Sequence, residues 1–301
     1  MNIKKRLRSG VKYLTDTDYR FLVNTSLGFY DKMPDEEYLK RKYKAIMKED
    51  LDLQNPKTFN EKIQWLKIHD RKQHYSDLVD KYAVREVISQ RLGEQYLIPL
   101  LGVWDKAEDV DFTLLPKQFV LKPTHLSGHV VICRDKDLLN QRAVRDQMRK
   151  WLKKEHYLPH REWPYKNIKP RIIAEELIED QIVDYKFYCF NGEPKMLYIS
   201  RGLEDHSTAQ ISFFDMDFHR MPFSRSDFAP YSDQPEKPKN LGQMVNIARQ
   251  LSQEFSFMRL DLYCVNERIY FSEFTFHPCG GYMPFEPKQY DEIVGQMLDL
   301  K

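Results

Sequence analysis

Several features that would identify a class of protein at once are absent from this chain of 301 residues. It has no apolar run long enough to cross a bilayer, and no apolar signal-peptide core follows its basic start. Its net charge is only +2, so no overall field attracts nucleic acid. We therefore expect a cytoplasmic protein without a nucleic-acid partner.

Cysteine is also scarce, and its spacing does not indicate a metal or redox site. The four cysteines lie far apart and form no C-x-x-C pair. Small buried thiols in a reducing compartment are the expected interpretation. The residues are Cys133, Cys189, Cys264 and Cys279.

Two histidine pairs have a spacing of four residues, which on a helix could bind zinc. They are His125 with His129 and His156 with His160. Neither pair lies in a recognised zinc motif or has an obvious third ligand. We interpret His125 and His129 instead as hydrogen-bond donors to anionic oxygens.

What the chain does contain is typical of a soluble globular protein. Hydrophobic residues make up 42% and charged residues 31%, which allows a substantial core. Aromatic residues reach 13% and favour a well-packed sheet. The length allows one large domain or two to three small ones, and no internal repeat is visible.

The charge is uneven at the N-terminus. The first twelve residues carry five basic side chains and no acidic one. Such a segment can make a peripheral contact with the inner face of a membrane, or it can be a solvated chain end. Both interpretations stay open. The basic residues are Lys4, Lys5, Arg6, Arg8 and Lys12.

Helical patterns dominate residues 1–115, which we predict to form a mainly helical N-terminal domain. Thr58 and Glu61 have the spacing of a capping box, which begins a helix through Ile68. The other elements expected here are a helix at 36–46 capped by Asp35, a helix at 75–93 and a short strand at 96–104.

Strand patterns replace the helical ones after Pro116, and residues 116–301 read as a second domain. Hairpins outnumber alternating strand–helix units, so the predicted class is α+β. Strands are expected at 118–122, 129–133, about 171–177, 185–190, 195–200 and 210–215, and in a hairpin at 259–263 and 269–275. Helices are expected at about 137–155, 240–254 and 288–299, with an irregular loop at 222–238.

The closing hairpin is the most informative stretch of the chain. Its two strands could bring Asp261 and Glu273 onto one face, with Arg259 beside them. Two carboxylates that converge beside an arginine make a site for a hard cation that carries phosphate, and Mg²⁺ is the predicted metal. The alternative is an exposed hairpin whose charges lie on its solvent face.

A second candidate site follows the apolar strand that ends at Lys122. The lysine would supply a positive charge for phosphate, and the turn containing Ser127 and Gly128 would supply backbone N–H donors. Only one glycine lies in this turn, so the sequence signal is weaker than that of a glycine-rich phosphate loop. The alternative is a solvated strand end.

A third polar group lies where two predicted strands meet. Glu175, Glu176 and Leu177 end one strand, and Asp184 begins the next. A carboxylate in this place can bind ribose hydroxyls, and an edge backbone can bind adenine. The alternative is a charged hairpin rim. Basic residues at or near strand positions would neutralise a triphosphate, namely Lys122, Lys186, Arg201 and Arg259.

Six short motifs follow one another in a recognisable order. They are Asp80-Lys81, residues 119–123, Glu175-Glu176-Leu177, residues 184–187, Arg259-Leu260-Asp261 and Glu273-Phe274-Thr275. Together they resemble the ATP-grasp superfamily. Residues 55–62, Trp65-Leu66-Lys67, residues 189–193 and Phe276 add a similarity to its TupA-like branch, which is associated with teichuronopeptide, capsule and other surface polysaccharides. The resemblance runs from about residue 50 to the end.

The resemblance implies a fold in which two α+β lobes, at about 116–175 and 176–301, clamp ATP after the N-terminal domain. It implies that Asp261, Glu273 and Thr275 hold Mg²⁺. The implied nucleotide-binding residues are Lys81, Lys122, Ser127, Gly128, Glu175, Glu176, Leu177 and Asp184. The implied catalytic residues are Lys186, Arg201 and Arg259.

One position departs from the superfamily pattern. Thr275 stands where the superfamily usually has asparagine. A hydroxyl is a poorer magnesium ligand than an amide carbonyl, so a second metal site would be completed by water.

The resemblance implies an ATP-dependent carboxylate–amine ligase that forms an amide through an acyl-phosphate. It implies a glycan or lipid-linked sugar acceptor, such as a uronic acid of a bacterial capsule or lipopolysaccharide, and an amine donor. Arg259 and the backbone N–H groups near Gly280-Gly281 would hold the oxyanion. The alternatives are a phosphotransferase or glycosyltransferase acting on a surface glycan, and a non-catalytic nucleotide-binding scaffold.

Overall fold

This computed structural model describes residues 10–179, 182–202 and 209–300. A series of helices opens the described part: α1 (Thr17–Ser26), α2 (Asp35–Met47), α3 (Phe59–His69), α4 (Tyr75–Val79) and α5 (Val84–Arg91). The predicted helical start is therefore confirmed over these residues. No helix of the described residues is long and apolar enough to span a membrane.

The start of α3 confirms the predicted capping box. The Thr58 hydroxyl accepts a hydrogen bond from the Glu61 N–H, and the Glu61 carboxylate accepts one from the Thr58 N–H. The predicted cap of α2 is wrong, because Asp35 is the first helical residue and makes no cap hydrogen bond. Its carboxylate pairs with Arg71 at 2.7 Å instead.

The single helix predicted at 75–93 is two helices, α4 and α5. Asp80 lies between them, and its Oδ1 accepts the N–H groups of Tyr82 at 2.8 Å and Ala83 at 3.3 Å. A carboxylate that takes local N–H groups competes with helical hydrogen bonds and ends the helix. This break places Lys81 in a turn rather than in a helix.

The first sheet has four antiparallel strands in the order β1-β4-β2-β3. They are β1 (Leu100–Trp104), β2 (Phe119–Pro123), β3 (Val131–Cys133) and β4 (Ile172–Glu176). Helix α6 (Gln141–Leu152) covers one face with Val144, Met148 and Trp151. The short helix α7 (Tyr157–His160) follows it in the chain. Strand β1 lies in the range that we predicted for the N-terminal domain, yet it belongs to this sheet.

The second sheet has five antiparallel strands in the order β10-β9-β5-β6-β7. They are β5 (Asp184–Phe190), β6 (Glu193–Arg201), β7 (Gln210–Phe214), β9 (Phe257–Val265) and β10 (Arg268–Thr275). The predicted closing hairpin is therefore confirmed. A small pair, β8 (Ser224–Arg225) and β11 (Phe285–Glu286), joins the loop predicted at 222–238 to the C-terminal segment.

The two faces of the second sheet are covered by different parts of the chain. Helix α8 (Leu241–Ser252) packs on the face that carries Phe187 and Leu260. Helix α3 and the segment around α9 (Tyr290–Gly295) cover part of the other face, where Phe59 contacts the rings of Tyr188 and Phe257. The same face carries, farther along strands β5, β9 and β10, the polar side chains described next.

Candidate active site

Strand pairing in the second sheet places the predicted acidic residues side by side. Asp261 is paired with Glu273 on one side and with Lys186 on the other. Asp261 is completely buried, and Glu273 is partly exposed. Side chains of directly paired residues point to the same face of a sheet. The exposed hairpin that we considered as an alternative does not occur.

Two basic side chains hold the buried aspartate. The Arg259 guanidinium binds it in a bidentate fashion: Nε donates to Asp261 Oδ1 at 2.7 Å, and Nη2 donates to Asp261 Oδ2 at 2.7 Å. The Lys186 ammonium bridges Asp261 and Asp184. Arg259 Nη2 also donates to the Thr275 hydroxyl at 3.0 Å and lies 3.5 Å from Glu273. The structure therefore brings six of the predicted site residues together.

The charges in this cluster change the pKa values of its carboxyl groups. Burial raises the pKa of Glu273, but Lys81, Lys186 and Arg259 together lower it to about 2. Burial also raises the pKa of the Asp184 carboxyl group to about 6, although the neighbouring Lys186 ammonium favours its charged form. Glu273 is thus an anion at neutral pH, as a metal ligand has to be.

The first sheet contributes a separate ion-pair group. Lys122 Nζ lies 2.8 Å from Glu175, and the other Glu175 oxygen lies 3.0 Å from Arg85. Burial lowers the pKa of Lys122, but Glu175 raises it above its ordinary value, so the lysine is charged. We did not predict Arg85, although it follows Lys81 by four residues, a spacing that can place both at one site.

Lys81 links the two groups. Its ammonium lies 3.4 Å from Glu273 in the second sheet and donates to the Leu126 carbonyl, at 2.9 Å, in the loop after β2. Its backbone N–H donates to the Thr124 carbonyl of the same loop. The predicted phosphate loop and the predicted metal carboxylates therefore face each other across Lys81.

The remaining nucleotide-binding candidates lie around this junction. Ser127 and Gly128 are exposed in the loop, and Gly128 has φ +67°, a conformation that favours glycine. Glu176 is exposed at the end of β4, and Leu177 follows it half-buried. The Glu175 side chain is held by its two ion pairs, so of these acidic residues Glu176 is the one whose carboxylate is exposed.

The histidines of the predicted phosphate loop lie close to backbone carbonyl oxygens of the chain. His125 Nε2 lies 3.2 Å from the Trp151 carbonyl, and His129 Nδ1 lies 2.6 Å from the Ser127 carbonyl. His129 also approaches Lys154 at 2.9 Å. Lys154 therefore adds a basic group beside His129 in this loop.

Two predicted groups lie elsewhere or point differently. The Arg201 side chain is 45% exposed and binds Asp233 and Gln210, outside the cluster around Asp261. The Gly280 N–H donates to the His277 carbonyl, so it is not a free oxyanion donor. The Gly280 carbonyl accepts from Lys67 at 2.6 Å, which shows that this turn presents oxygen atoms inward.

The donor set of the site suits magnesium and a polyphosphate. Glu273 offers a partly exposed carboxylate, the ligand type that Mg²⁺ prefers, and Thr275 adds a hydroxyl. The Asp261 carboxylate lies beside Glu273 and is held by Arg259 and Lys186. Lys81 and Lys122 supply positive charge from the opposite side. We did not assign Tyr263, which is paired with Asp184 and so lies beside the predicted site.

One protein-family model matches most of the chain. The family model described as "TupA-like ATPgrasp" matches residues 61–299. A comparison with curated proteins gives no match.

Several solved structures are similar in fold at low identity. D-alanine–D-alanine ligase from Bacillus anthracis is 16% identical with a TM-score of 0.41, over 66% of this chain and 56% of that one. The ATP-grasp ligase PsnB, complexed with a precursor variant, Mg and ADP, is 10% identical with a TM-score of 0.41, over 82% and 63%. A RimK domain protein from Sphaerobacter thermophilus is 9% identical with a TM-score of 0.41, over 74% and 69%. The chain thus spans between about half and two thirds of the first two ligases.

Proposed function

The chain belongs to the TupA-like ATP-grasp family, and on this basis we propose that it is an ATP-dependent carboxylate–amine ligase. Its fold is accordingly an ATP-grasp fold, with two antiparallel sheets. The observation that carries the proposal is the contact of Lys81 with Glu273, since it joins the phosphate loop of one sheet to the paired carboxylates of the other.

The residues divide into groups by the part of Mg-ATP that each would bind. Asp261 and Glu273, with the Thr275 hydroxyl, would hold Mg²⁺, which when bound neutralises charge on phosphate oxygens. Lys81 and Lys122, with the backbone at Ser127 and Gly128, would bind the phosphates. Asp184 would bind the ribose, and the end of β4 at Glu176 and Leu177 would lie against adenine, with Glu175 fixing Lys122.

The proposed reaction has two steps. A substrate carboxylate oxygen attacks the γ-phosphorus of ATP, and ADP leaves. The amine nitrogen then attacks the acyl carbon of the acyl-phosphate, phosphate leaves, and the amide is formed with loss of a proton. Arg259 and Lys186 both pair with Asp261, and in this proposal they would stabilise the charge on these oxygens. Arg201 lies outside the cluster, so its role stays a prediction from the resemblance.

We propose that the carboxylate belongs to a uronic acid of a bacterial surface polysaccharide, or its lipid-linked precursor, and that the amine is an amino acid or amino compound. Family membership supports this choice. The basic residues of the first twelve positions support a contact with an anionic membrane surface. The proposed place of the protein is therefore the cytoplasm, with a peripheral contact at the inner face of the membrane.

The test is incubation of the full chain with ATP, Mg²⁺, pooled amino acids and uronic acid glycosides. A ligase releases phosphate and produces an adduct whose mass equals the two substrates minus water. ADP without free phosphate, together with a phosphorylated glycoside, would indicate a phosphotransferase. Turnover of a nucleotide sugar would indicate a glycosyltransferase, and nucleotide binding without any turnover would indicate a scaffold.

A further inference from the structure

Four large apolar side chains are exposed near the start of the described part of the chain. Val11 and Leu14 belong to a short helix at 10–15, and Leu14 is 75% exposed. Leu27 and Phe29 lie in the turn after α1 and are 65% and 72% exposed. Single exposed apolar residues are common, but a group of them indicates a surface that binds a partner or a membrane. The proposed nucleotide site uses none of the four.

Hydrogen bonds to Asn24 join the short helix to the turn. The Tyr13 hydroxyl donates to Asn24 Oδ1 at 2.8 Å. The Asn24 carbonyl accepts the N–H groups of Leu27 at 3.2 Å and Phe29 at 3.1 Å. The Arg20 guanidinium donates to the Tyr13 carbonyl at 3.2 Å and so fixes the short helix beside α1. The short helix and the turn therefore meet at Asn24.

The turn at 27–31 is held in place from the interior of the protein. The buried Arg161 side chain donates through Nη2 to the carbonyls of Tyr30 at 2.9 Å and Asp31 at 3.2 Å. The Tyr30 ring packs on the Phe21 ring, with centroids 4.6 Å apart. The backbone of the turn is thus fixed while its two apolar side chains stay exposed, so the apolar surface is a constant feature of the fold.

The charge of this part of the chain is positive. The first 32 residues contain seven basic and three acidic side chains, a net charge of +4, whereas the whole chain has only +2. The rest of the protein is therefore net negative. Of the three acidic residues, Asp18 is paired with Arg41 at 2.6 Å and with Lys48 at 3.0 Å. Asp31 lies in the turn and is followed by the exposed Lys32. The surface is thus both basic and apolar.

The charge distinguishes between two kinds of partner for this surface. A second copy of the chain would bring two positive surfaces together, and like charges across an interface are unfavourable. An anionic membrane attracts basic side chains, and the boundary between its headgroups and acyl chains accommodates apolar ones. The combination of basic and apolar residues therefore favours a lipid surface over a dimer.

We propose that the short helix and the turn dock together on an anionic lipid surface, with Leu14, Leu27 and Phe29 inserted at the level of the headgroups. This inference rests on the peripheral membrane contact given under the proposed function, and it adds the apolar residues that anchor the protein there. It does not depend on the chemistry of the ligase, because lipid binding requires neither ATP nor an amine.

The test is sedimentation of the full chain with lipid vesicles. We expect the wild type to bind vesicles of phosphatidylglycerol and phosphatidylcholine more tightly than vesicles of phosphatidylcholine alone. The double variant Leu27→Ser with Phe29→Ser should bind the anionic vesicles at least about tenfold more weakly, because it removes two apolar side chains from the lipid contact and leaves every charge in place. Leu138→Ser is the matched control and should bind as the wild type does, since Leu138 is 85% exposed but lies just before α6.

The proposal is overturned if the wild type does not bind anionic vesicles, if it binds both kinds of vesicle equally, or if the double variant binds as the wild type does. It is also overturned if analytical ultracentrifugation shows a wild-type dimer that the double variant dissociates, because a second copy then covers the surface. The ligase function is tested separately with soluble glycosides. Vesicle binding without turnover would contradict only the ligase, and turnover without vesicle binding would contradict only the lipid surface.

Discussion

At the scale of single residues, the site depends on charges that hold one another in place. Arg259 binds Asp261 with two short hydrogen bonds, and Lys186 joins the same carboxylate to Asp184. Removing one partner of such a buried ion pair leaves the other charge unpaired. The loss of folding free energy is then larger than the stabilisation that the intact pair provides. Variants with substitutions in this cluster should therefore be tested for folding as well as for activity.

Lys122 is the residue of the first sheet on which ATP binding should depend. Lys122→Ala removes the proposed phosphate contact, so ATP with Mg²⁺ should no longer raise the melting temperature. The wild type at about one hundred times its Kd should gain about 2.7 kcal/mol. Lys117→Ala is the control, because Lys117 is exposed and pairs with Asp135 at 3.4 Å. An ATP-dependent shift that survives in Lys122→Ala would contradict the phosphate role.

Glu273 is the residue that tests the metal assignment. Glu273→Gln keeps the shape of the side chain but removes the negative charge, so Mg²⁺-dependent turnover should fall by at least about a hundredfold, as expected when a charge-stabilising group is lost. Circular dichroism should show a folded protein. Glu193→Gln is a suitable control, since Glu193 is on the surface and pairs with Arg249. Equal activity of Glu273→Gln and the wild type would reject the metal role.

His160 should make the stability of the protein depend on pH. Burial lowers its pKa from 6.5 to about 4, so the unfolded state binds a proton that the folded state does not between these values. The free energy of unfolding should therefore fall as the pH falls from 6.5 to 4. His160→Gln should reduce this fall by on the order of 2 kcal/mol. The check is urea unfolding of both proteins at pH 7 and pH 4.5, and an unchanged difference would count against the buried neutral imidazole.

At the scale of elements, helix α3 has two functions in the molecule. Its apolar side covers part of the site face of the second sheet, and its polar side carries Lys67, whose ammonium donates to the Gly280 carbonyl. Asn60 in its first turn is bound to Asp291 through its backbone N–H at 2.9 Å and its side-chain amide at 2.8 Å. The helix is therefore held to both the sheet and the C-terminal segment.

Phe59 tests the contribution of this helix to stability. The side chain is fully buried and packs edge-to-face on Phe257 at 5.2 Å and Phe285 at 6.1 Å. Phe59→Ala should lower the free energy of unfolding by about 3–5 kcal/mol, through lost burial and a cavity. Phe29→Ala, at a ring that is 72% exposed, should change it by less than about 0.5 kcal/mol. Chemical denaturation measures both, and equal losses would argue against the packing of α3.

At the scale of the whole molecule, the chain order brings distant segments to one cleft. The turn at Lys81, the loop after β2 and the hairpin of β9 and β10 are separated by up to about two hundred residues, yet the Lys81 ammonium contacts both of the others. An enzyme that binds two substrates and a nucleotide needs such a meeting of segments, because the reacting groups must be held close together.

The N-terminus is the part of the molecule whose role we predict from charge. Val11 and Leu14 are exposed, and the five basic residues of the first twelve lie beside them in the sequence. Basic and apolar residues together favour binding to anionic lipid surfaces. Deletion of residues 2–12 should therefore reduce sedimentation with vesicles that contain anionic lipid, relative to the full chain. Unchanged sedimentation would identify the segment as a solvated chain end.

The elements show how far the sequence alone can be interpreted. Hydrophobic periodicity and the capping box predicted α3, α8 and most strands of both sheets, because these signals are local. The break at Asp80 and the place of β1 in the first sheet were not predicted. The first depends on a side chain that competes with helical hydrogen bonds, and the second on a partner strand about seventy residues away.

The sequence by itself determined the type of chemistry, since the acidic and basic residues suited to magnesium and phosphate stand in a recognisable order. Only the tertiary structure decided which of them meet. Strand register paired Asp261 with Glu273 and Lys186, whereas Arg201 at the end of β6 turned toward Asp233. The structure also showed that Glu162 and His277, more than a hundred residues apart in the chain, lie 3.8 Å from each other. Residue types carry chemistry locally, but distances between remote side chains exist only after the chain has folded.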